Sequence, residues 1–280
     1  MRTSDWIQIG LAVALALAAW VTPFTSQPLP VQRRLAVAGL AGVAIAVLSV
    51  GRLCAGMVPA ASRPVLHDGF TVAVFLVPYW QAGQFFVGPN AKIEERLLAF
   101  DRRLLPGIAG RSGTARSGVG FLLELAYLLC YPLVPLGLVA VYAAGRGAEV
   151  NSFWLVVLLS TYICYVVTPF VPAYPPRSLV GEGPGGSSPA VRANTGRIFN
   201  RWILRHGSIH AISFPSAHVA AAFAIALVLL RLAPPFGIAF LALAILISAG
   251  AVVGRYHYAL DVLLGGATAL AVFLASYRAL

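Results

Sequence analysis

Eight long apolar stretches dominate the chain, and the charged residues gather in the segments between them. Most stretches approach the ~20 residues that an α-helix needs to cross ~30 Å of hydrocarbon. The pattern therefore predicts an all-α, polytopic membrane protein with about eight transmembrane helices. The stretches cover roughly residues 7–24, 35–50, 70–88, 119–144, 153–171, 218–232, 236–253 and 257–277.

A segment of mixed character, residues 92–105, follows the third apolar stretch. Apolar residues recur there at helical spacing with charges between them, which predicts a helix lying in the membrane interface. Pro106 follows and ends it. We expect a charged surface helix in which Glu95 and Asp101 are solvated and have no catalytic role.

A second interfacial helix is predicted where Arg197, Arg201 and Arg205 recur every four residues, interleaved with apolar side chains. Two interpretations of this basic amphipathic helix stay open. It anchors the protein to anionic lipid, or its arginines contact the phosphate headgroup of a substrate. The preceding residues 181–196 are rich in Gly, Ser and Pro, which is typical of a mobile loop.

Composition excludes a water-soluble globular domain, because 59% of the residues are apolar and only 10% are charged, against about 25% charged in soluble domains. The net charge of +11 comes from 19 arginines and one lysine against nine acids. Nothing resembles a nucleic-acid module, so the expected partners are membrane lipids and a lipid-phosphate substrate. Cys54, Cys130 and Cys164 are widely spaced in apolar surroundings and predict neither a disulfide nor a zinc site.

Candidate chemistry concentrates where the sixth and eighth stretches begin, at residues 214–218 and 254–261. An ionisable side chain inside a membrane segment is costly unless it is paired or functional. If all eight stretches span the membrane, both of these starts share one face with Arg177, which follows the fifth stretch. Glu124, in the fourth stretch, is either a proton-relay or substrate group, or a structural partner of a neighbouring helix or of Tyr127.

His257 and Asp261 are four residues apart, so on a helix they lie on one face and can touch. A carboxylate on one ring nitrogen fixes the imidazole tautomer and makes the other nitrogen a better nucleophile. His218 starts a different helix and supplies a second acid–base group. Ser216 and the backbone N–H of Ala217 lie at that same helix N-terminus, where phosphate is favoured.

Arg177 and Arg255 are expected to add bidentate contacts to phosphate. The candidate set thus holds a nucleophile, its orienting acid, a proton donor and an anion cradle. It includes no metal-ligand cluster, and no cofactor is expected. A Walker-A loop, an acidic cluster for two metals and a G-x-S-x-G serine elbow are all missing from the sequence.

Three motifs carry a family resemblance: Pro175-Pro176-Arg177, Pro215-Ser216-Ala217-His218 and His257-xxx-Asp261. In this order and spacing they resemble the type 2 phosphatidic acid phosphatase superfamily, over roughly residues 70–280. The resemblance implies a six-helix catalytic domain at 70–280 and a two-helix N-terminal extension at 1–69.

The same resemblance implies a role for each site residue. His257 would attack phosphorus and form a phosphohistidine, and Asp261 would orient it. His218 would protonate the leaving alcohol and then activate the acceptor. The phosphoryl oxygens would be held by Arg177, Ser216, Ala217 and Arg255.

Three positions depart from the family's pattern. Ala217 replaces a glycine, and Ala251 stands where the usual arginine would be, so that Arg255 would substitute for it. The lysine of the first motif is missing, since Lys92 is the only lysine. The forms Ala-x-Pro-Pro-Arg and Arg-x-His-Tyr-xx-Asp look more like the branch that contains inositol phosphorylceramide synthases.

The resemblance implies a metal-independent lipid phosphate phosphatase that works through a phosphohistidine intermediate. The alternative is a phosphotransferase that moves a phosphorylated headgroup between lipids, because only the acceptor differs. A transporter or anion channel with an arginine phosphate filter is the rival class, and it has no need of His257 as a nucleophile.

We expect an integral protein of a bacterial-type inner membrane. The excess of arginine on the catalytic face places the site in the cytoplasm by the positive-inside rule. Many of those arginines lie in the motif-bearing loops, however, and the family resemblance implies an extracytoplasmic site, which we adopt as the prediction. The sequence defines neither the lipid nor the oligomeric state.

Overall fold

The computed structural model describes residues 1–21, 28–106, 118–179 and 195–276. Within these ranges the regular structure is helical and no strand occurs, which confirms the predicted all-α class. The α-helices are α1 (Thr3–Val21), α2 (Val31–Met57), α3 (Arg63–Val74), α4 (Val77–Gln84), α5 (Ala91–Leu104), α6 (Gly118–Leu128), α7 (Leu133–Ala143), α8 (Val150–Val167), α9 (Thr195–Gly207), α10 (Ala217–Leu232), α11 (Pro234–Val253) and α12 (Ala259–Ser276).

Five helices in the described part of the chain, α1, α2, α8, α11 and α12, are long and apolar enough to cross a membrane. The pair α6–α7 forms a sixth span if it is taken as one element, although it bends by 75°. Helix α10 is apolar but shorter. A polytopic helical membrane protein is therefore the observed class.

Among the described residues, five of the eight predicted stretches form a single helix of spanning length, because two stretches are interrupted and the stretch at 218–232 forms the shorter helix α10. The stretch at 70–88 divides between α3 and α4, and Pro78 lies in the first turn of the second helix. The stretch at 119–144 divides between α6 and α7, directly after Pro132. Proline removes a backbone donor and clashes with the preceding turn, so it favours a break that hydropathy alone does not reveal.

The chain forms two compact units, Met1–Val87 and Gly88–Leu280. The first contains α1–α4, whose core is built from small and branched side chains such as Ala12, Ala41 and Val74. The predicted domain boundary after residue 69 stays a prediction.

Helix α10 is the centre of the second unit and packs against α7, α8, α11 and α12. Its alanine-rich sequence allows this close packing, and most of its residues are buried. At its end, the Leu232 carbonyl accepts a hydrogen bond from Arg146 Nε at 3.1 Å, in the connection between α7 and α8. The opposite end, at Ser216, carries the candidate chemistry.

Candidate active site

His257 and Asp261 form a hydrogen-bonded pair at the start of α12. His257 Nδ1 lies 3.2 Å from Asp261 Oδ2, and the same oxygen accepts the backbone N–H of Tyr258 at 3.2 Å. Asp261 is fully buried. Because the carboxylate binds Nδ1–H, the lone pair of the imidazole is on Nε2, which makes no hydrogen bond to the described residues.

His218 lies beside this pair, in the first turn of α10. Its ring centroid is 5.7 Å from that of His257. Its Nδ1 atom is buried and has no hydrogen-bond partner within the described ranges. An unpaired imidazole next to a carboxylate-oriented one is an arrangement suited to proton transfer during nucleophilic attack.

The N-termini of α10 and α12 are in direct contact through a backbone hydrogen bond. The Ser216 backbone N–H donates to the Asp261 carbonyl at 3.0 Å. A Cβ on Gly265 would lie 2.5 Å from the Ser216 carbonyl oxygen, so only glycine permits this approach of the two helices. Ser216 and Ala217, which were predicted to bind phosphate, lie at the N-terminus of α10. The Ser216 hydroxyl accepts a hydrogen bond from Val219 N–H at 3.5 Å, and Ala217 N–H donates to Ser213 Oγ at 3.4 Å.

Arg177 belongs to the same cluster, because its backbone N–H donates to the Arg255 carbonyl at 2.9 Å. Its guanidinium carbon lies 5.6 Å from the centroid of the Tyr256 ring, in a cation–π contact. Arg255 adopts a left-handed backbone with φ 62°. Its guanidinium Nη1 lies 3.7 Å from Asp101 Oδ2, and its Nε is buried without a hydrogen-bond partner in the described structure.

Asp101 was predicted to be solvated, and this prediction is wrong. Its side chain is buried, and Oδ1 accepts the Ala259 N–H at 2.8 Å, at the first residue of α12. Burial raises the pKa of the Asp101 carboxyl, whereas the Ala259 hydrogen bond and the Arg255 charge oppose the rise. The burial of Asp101 could have been predicted from its spacing of four residues from Leu97, because residues four apart share a helix face and Leu97 is also buried. Glu95 is exposed, as predicted.

Three tyrosines near the histidines were not predicted as site residues. The rings of Tyr127 and Tyr131 each lie 6.1 Å from the His218 ring, centroid to centroid. Tyr256 stacks on Tyr127 at 4.1 Å. These rings form an aromatic wall next to the acid–base pair, and no pattern in the sequence distinguishes them from core aromatics.

Glu124 bonds a neighbouring helix, which is one of the alternatives that the sequence left open, and the tyrosine that bonds it is Tyr256, whereas the sequence suggested Tyr127. Its carboxylate accepts from Arg197 Nη1 at 2.9 Å, from Asn200 Nδ2 at 2.8 Å and from Tyr256 Oη at 2.6 Å. Two of these donors come from α9 and one from the turn before His257.

The three arginines predicted to contact headgroups differ in their exposure to solvent. Arg197 is buried against Glu124, Arg201 is half-buried, and Arg205 is exposed. Of the apolar residues between them, Ile198, Phe199 and Trp202 are exposed, and Ile203 and Leu204 are half-buried. The predicted mobile loop at 181–196 lies outside the described residues up to position 194.

No group of three or more His, Cys, Asp or Glu side chains is placed to hold a metal ion within the described ranges. The candidate site is thus built from imidazole, carboxylate, guanidinium, hydroxyl and backbone N–H groups.

The family model described as the PAP2 superfamily matches residues 95–275, well over half of the chain. This protein therefore belongs to the PAP2 superfamily, whose members are phosphatases and phosphotransferases. The matched span includes both histidines, Asp261 and the two arginines of the site. Comparisons with curated proteins and with solved structures gave no match.

Proposed function

We propose that this protein is an integral membrane phosphatase that hydrolyses a lipid phosphate ester through a phosphohistidine at His257. The observation that carries the proposal is the His257–Asp261 pair at 3.2 Å with the His218 ring 5.7 Å from it. Arg177 and Arg255 are buried and joined through the Arg177 N–H and the Arg255 carbonyl, close in sequence or space to Tyr256, and they supply positive charge for the phosphoryl oxygens.

In the first step, His257 Nε2 attacks phosphorus and a P–N bond forms while the bond to the leaving oxygen breaks. His218, in its protonated form, gives its proton to that oxygen, so the product leaves as an alcohol. Asp261 accepts the Nδ1–H hydrogen bond throughout and stabilises the positive charge on the His257 ring.

In the second step, the neutral His218 takes a proton from water, and the hydroxide attacks the phosphohistidine. The P–N bond breaks, inorganic phosphate leaves, and His218 is again protonated for the next cycle. In both steps, Arg177, Arg255, Ser216 and the start of α10 balance the charge on the three phosphoryl oxygens.

Transfer to a lipid alcohol is the second candidate, since an alcohol can take the place of water in the second step. The forms of the motifs around Arg177 and His257 favour it, because they are similar to those of inositol phosphorylceramide synthases. A phosphorylated lipid product that appears only when an inositol-bearing or diacylglycerol acceptor is added would identify a transferase.

Purified protein in detergent or liposomes should release phosphate from phosphatidic acid or a similar lipid phosphate. His257→Ala and Asp261→Asn should each abolish this release, whereas Ser248→Ala, which changes a local hydrogen bond in α11, should not. Activity should persist in EDTA and be inhibited by vanadate, a mimic of the phosphoryl transition state. Full activity of His257→Ala, or loss of activity in EDTA, would refute the mechanism.

The proposed location of the site is the extracytoplasmic side of a bacterial-type inner membrane. Ala91 and Ala148 are both exposed; Ala91 starts α5 near the site, and Ala148 lies in the connection next to the far end of α10. In a background without the native cysteines, Ala91→Cys should react with an impermeant thiol reagent in intact cells, and Ala148→Cys should not. The reverse labelling pattern would place the site in the cytoplasm.

A further inference from the structure

Glu124 is a buried carboxylate that the proposed chemistry does not use. It lies in α6 with 1% of its surface exposed, and Arg197 Nη1 at 2.9 Å balances its charge. The Asn200 amide adds donors to both the side chain and the backbone carbonyl of Glu124, at 2.8 and 3.0 Å. The carboxylate is therefore held in one position by two residues of α9.

The remaining donor to Glu124 comes from the candidate site itself. Tyr256 Oη donates to Glu124 Oε2 at 2.6 Å. Burial and the neighbouring Glu124 carboxylate raise the pKa of Tyr256, which keeps the hydroxyl protonated as a donor. The short distance is typical of a hydroxyl bound to a charged acceptor.

Tyr256 connects the Glu124 carboxylate to the residues of the candidate site. Its ring stacks on Tyr127 at 4.1 Å with an interplanar angle of 7°, and the Arg177 guanidinium lies 5.6 Å from the ring centroid. Its backbone directly precedes His257, and the N–H groups of both residues donate to the Ala251 carbonyl at 2.9 and 3.0 Å. The orientation of this one ring thus affects both a phosphate-binding arginine and the nucleophile.

We infer that Glu124 is a positioning residue that acts through the Tyr256 hydroxyl to hold the Arg177 guanidinium where the substrate phosphate binds. This inference rests on the proposed function, since it assigns Arg177 to the phosphoryl oxygens. Helix α9 is the anchor of the arrangement, because Arg197 and Asn200 hold the carboxylate from its other side.

A purely structural role for Glu124 makes a different prediction from a positioning role. Arg177 contacts phosphate in the bound substrate as well as in the transition state, so its displacement should raise KM and leave kcat nearly unchanged. If the Glu124 cluster only attaches α9 to α6, its loss should lower thermal stability and the amount of active protein, with KM unchanged.

The decisive variant is Tyr256→Phe, which keeps an aromatic ring at this position and removes only the hydroxyl that fixes the orientation of the ring against Glu124. We expect it to raise KM and the vanadate inhibition constant by about tenfold, as for the loss of one hydrogen bond to a charged group. Glu124→Gln should have a similar effect, and the double variant should be no worse than either single one. Ser248→Ala should leave KM and kcat unchanged.

Unchanged KM and vanadate inhibition in Tyr256→Phe would overturn the inference, and so would fully additive losses in the double variant. If Glu124→Gln does not fold, Tyr256→Phe decides alone. A second measurement, the rise in melting temperature on adding inorganic phosphate, distinguishes a failure of the positioning inference from a failure of the proposed function. A wild type without turnover that phosphate still stabilises, less so in Tyr256→Phe, would refute hydrolysis and retain the positioning role. A wild type with neither property would overturn both.

Discussion

Each of the two units contains a histidine hydrogen-bonded to a buried aspartate, but the two pairs differ in what surrounds them. In the first unit, His67 Nε2 lies 3.0 Å from Asp5 Oδ2. In the second, His257 Nδ1 lies 3.2 Å from Asp261 Oδ2. The two distances are alike, although the His67 side chain is 15% exposed and that of His257 is 6% exposed.

The second nitrogen of each ring marks the difference. His67 Nδ1 faces Asp68 Oδ1 at 3.8 Å, and Arg2 also binds that carboxylate, at 2.8 Å. The hydrogen bond to Asp5, with the neighbouring Asp68, raises the pKa of His67 and favours an imidazolium between two carboxylates. An imidazolium has no lone pair with which to attack phosphorus.

His257 has the opposite surroundings. Its Nε2 is without a hydrogen-bond partner among the described residues, and its ring lies 5.7 Å from that of His218. The residue before it, Tyr256, carries the cation–π contact with Arg177. A His–Asp pair is therefore not a site by itself. It can act as one when the ring nitrogen that does not bind the carboxylate keeps its lone pair, a second acid–base group is adjacent, and arginine side chains are available to bind the charge of the substrate.

Alanine substitution of the two histidines gives the largest expected contrast. His257→Ala should reduce phosphate release by at least ~10³-fold, because the covalent step is lost. His67→Ala should keep most of the activity and lower the melting temperature, since it leaves Asp5 buried without its partner. Turnover and thermal unfolding of both variants check this, and comparable activity losses would contradict the comparison.

Two adjacent glycines test whether the close approach of α10 and α12 assembles the catalytic cluster. Gly265→Ala should lower stability by ~1–3 kcal/mol and reduce activity, because its Cβ would meet the Ser216 carbonyl at 2.5 Å. At Gly266 a Cβ would make only ordinary contacts with Phe223, at 3.6 Å. Gly266→Ala should thus be neutral, or stabilising by up to ~1 kcal/mol through helix propensity.

Those two variants need both unfolding measurements and kinetic assays. Equal losses in Gly265→Ala and Gly266→Ala would show that backbone flexibility of α12, and not its distance from Ser216, is what the site requires.

Two substitutions of Arg255 distinguish the contribution of its guanidinium to phosphate binding from the strain of its backbone, which is left-handed at φ 62°. Arg255→Gly and Arg255→Ala should both weaken vanadate inhibition, since each removes the guanidinium. The glycine variant should be more stable than the alanine variant by ~1–2 kcal/mol, the cost of this conformation for a residue with a Cβ. Equal unfolding midpoints for the two would argue against strain at this turn.

The smallest expected effect is a pH dependence of stability that arises from the N-terminal pair. The pKa of His67 is raised in the folded protein, so its stabilisation is complete below ~6.5, the unfolded value. It is lost as pH rises through the folded pKa. The stability difference between wild type and His67→Gln should shrink toward alkaline pH, by about 1 kcal/mol or less. A constant difference would indicate that His67 does not titrate.

Much of the site could be predicted because its members are polar residues at the boundaries of apolar stretches. The spacing of His257 and Asp261 puts them on one face of a helix whatever the rest of the chain does. Asp101 and Glu124 could not be assigned in this way. Their partners, Ala259 and Tyr256, are more than a hundred residues away in the chain, and periodicity identifies a face of a helix without identifying its neighbour.

Composition and apolar patterning alone determined an all-α membrane protein, because hydrocarbon permits few structures. The ionisable residues at the boundaries of the apolar stretches predicted a candidate site of histidine, carboxylate and arginine, because a buried ionisable group is costly unless it is functional or paired. Only the tertiary structure decided where the apolar stretches break, which arginine of α9 faces inward, and which imidazole nitrogen is left unpaired. Those outcomes depend on the close packing of side chains from distant segments, and local sequence does not encode which segments meet.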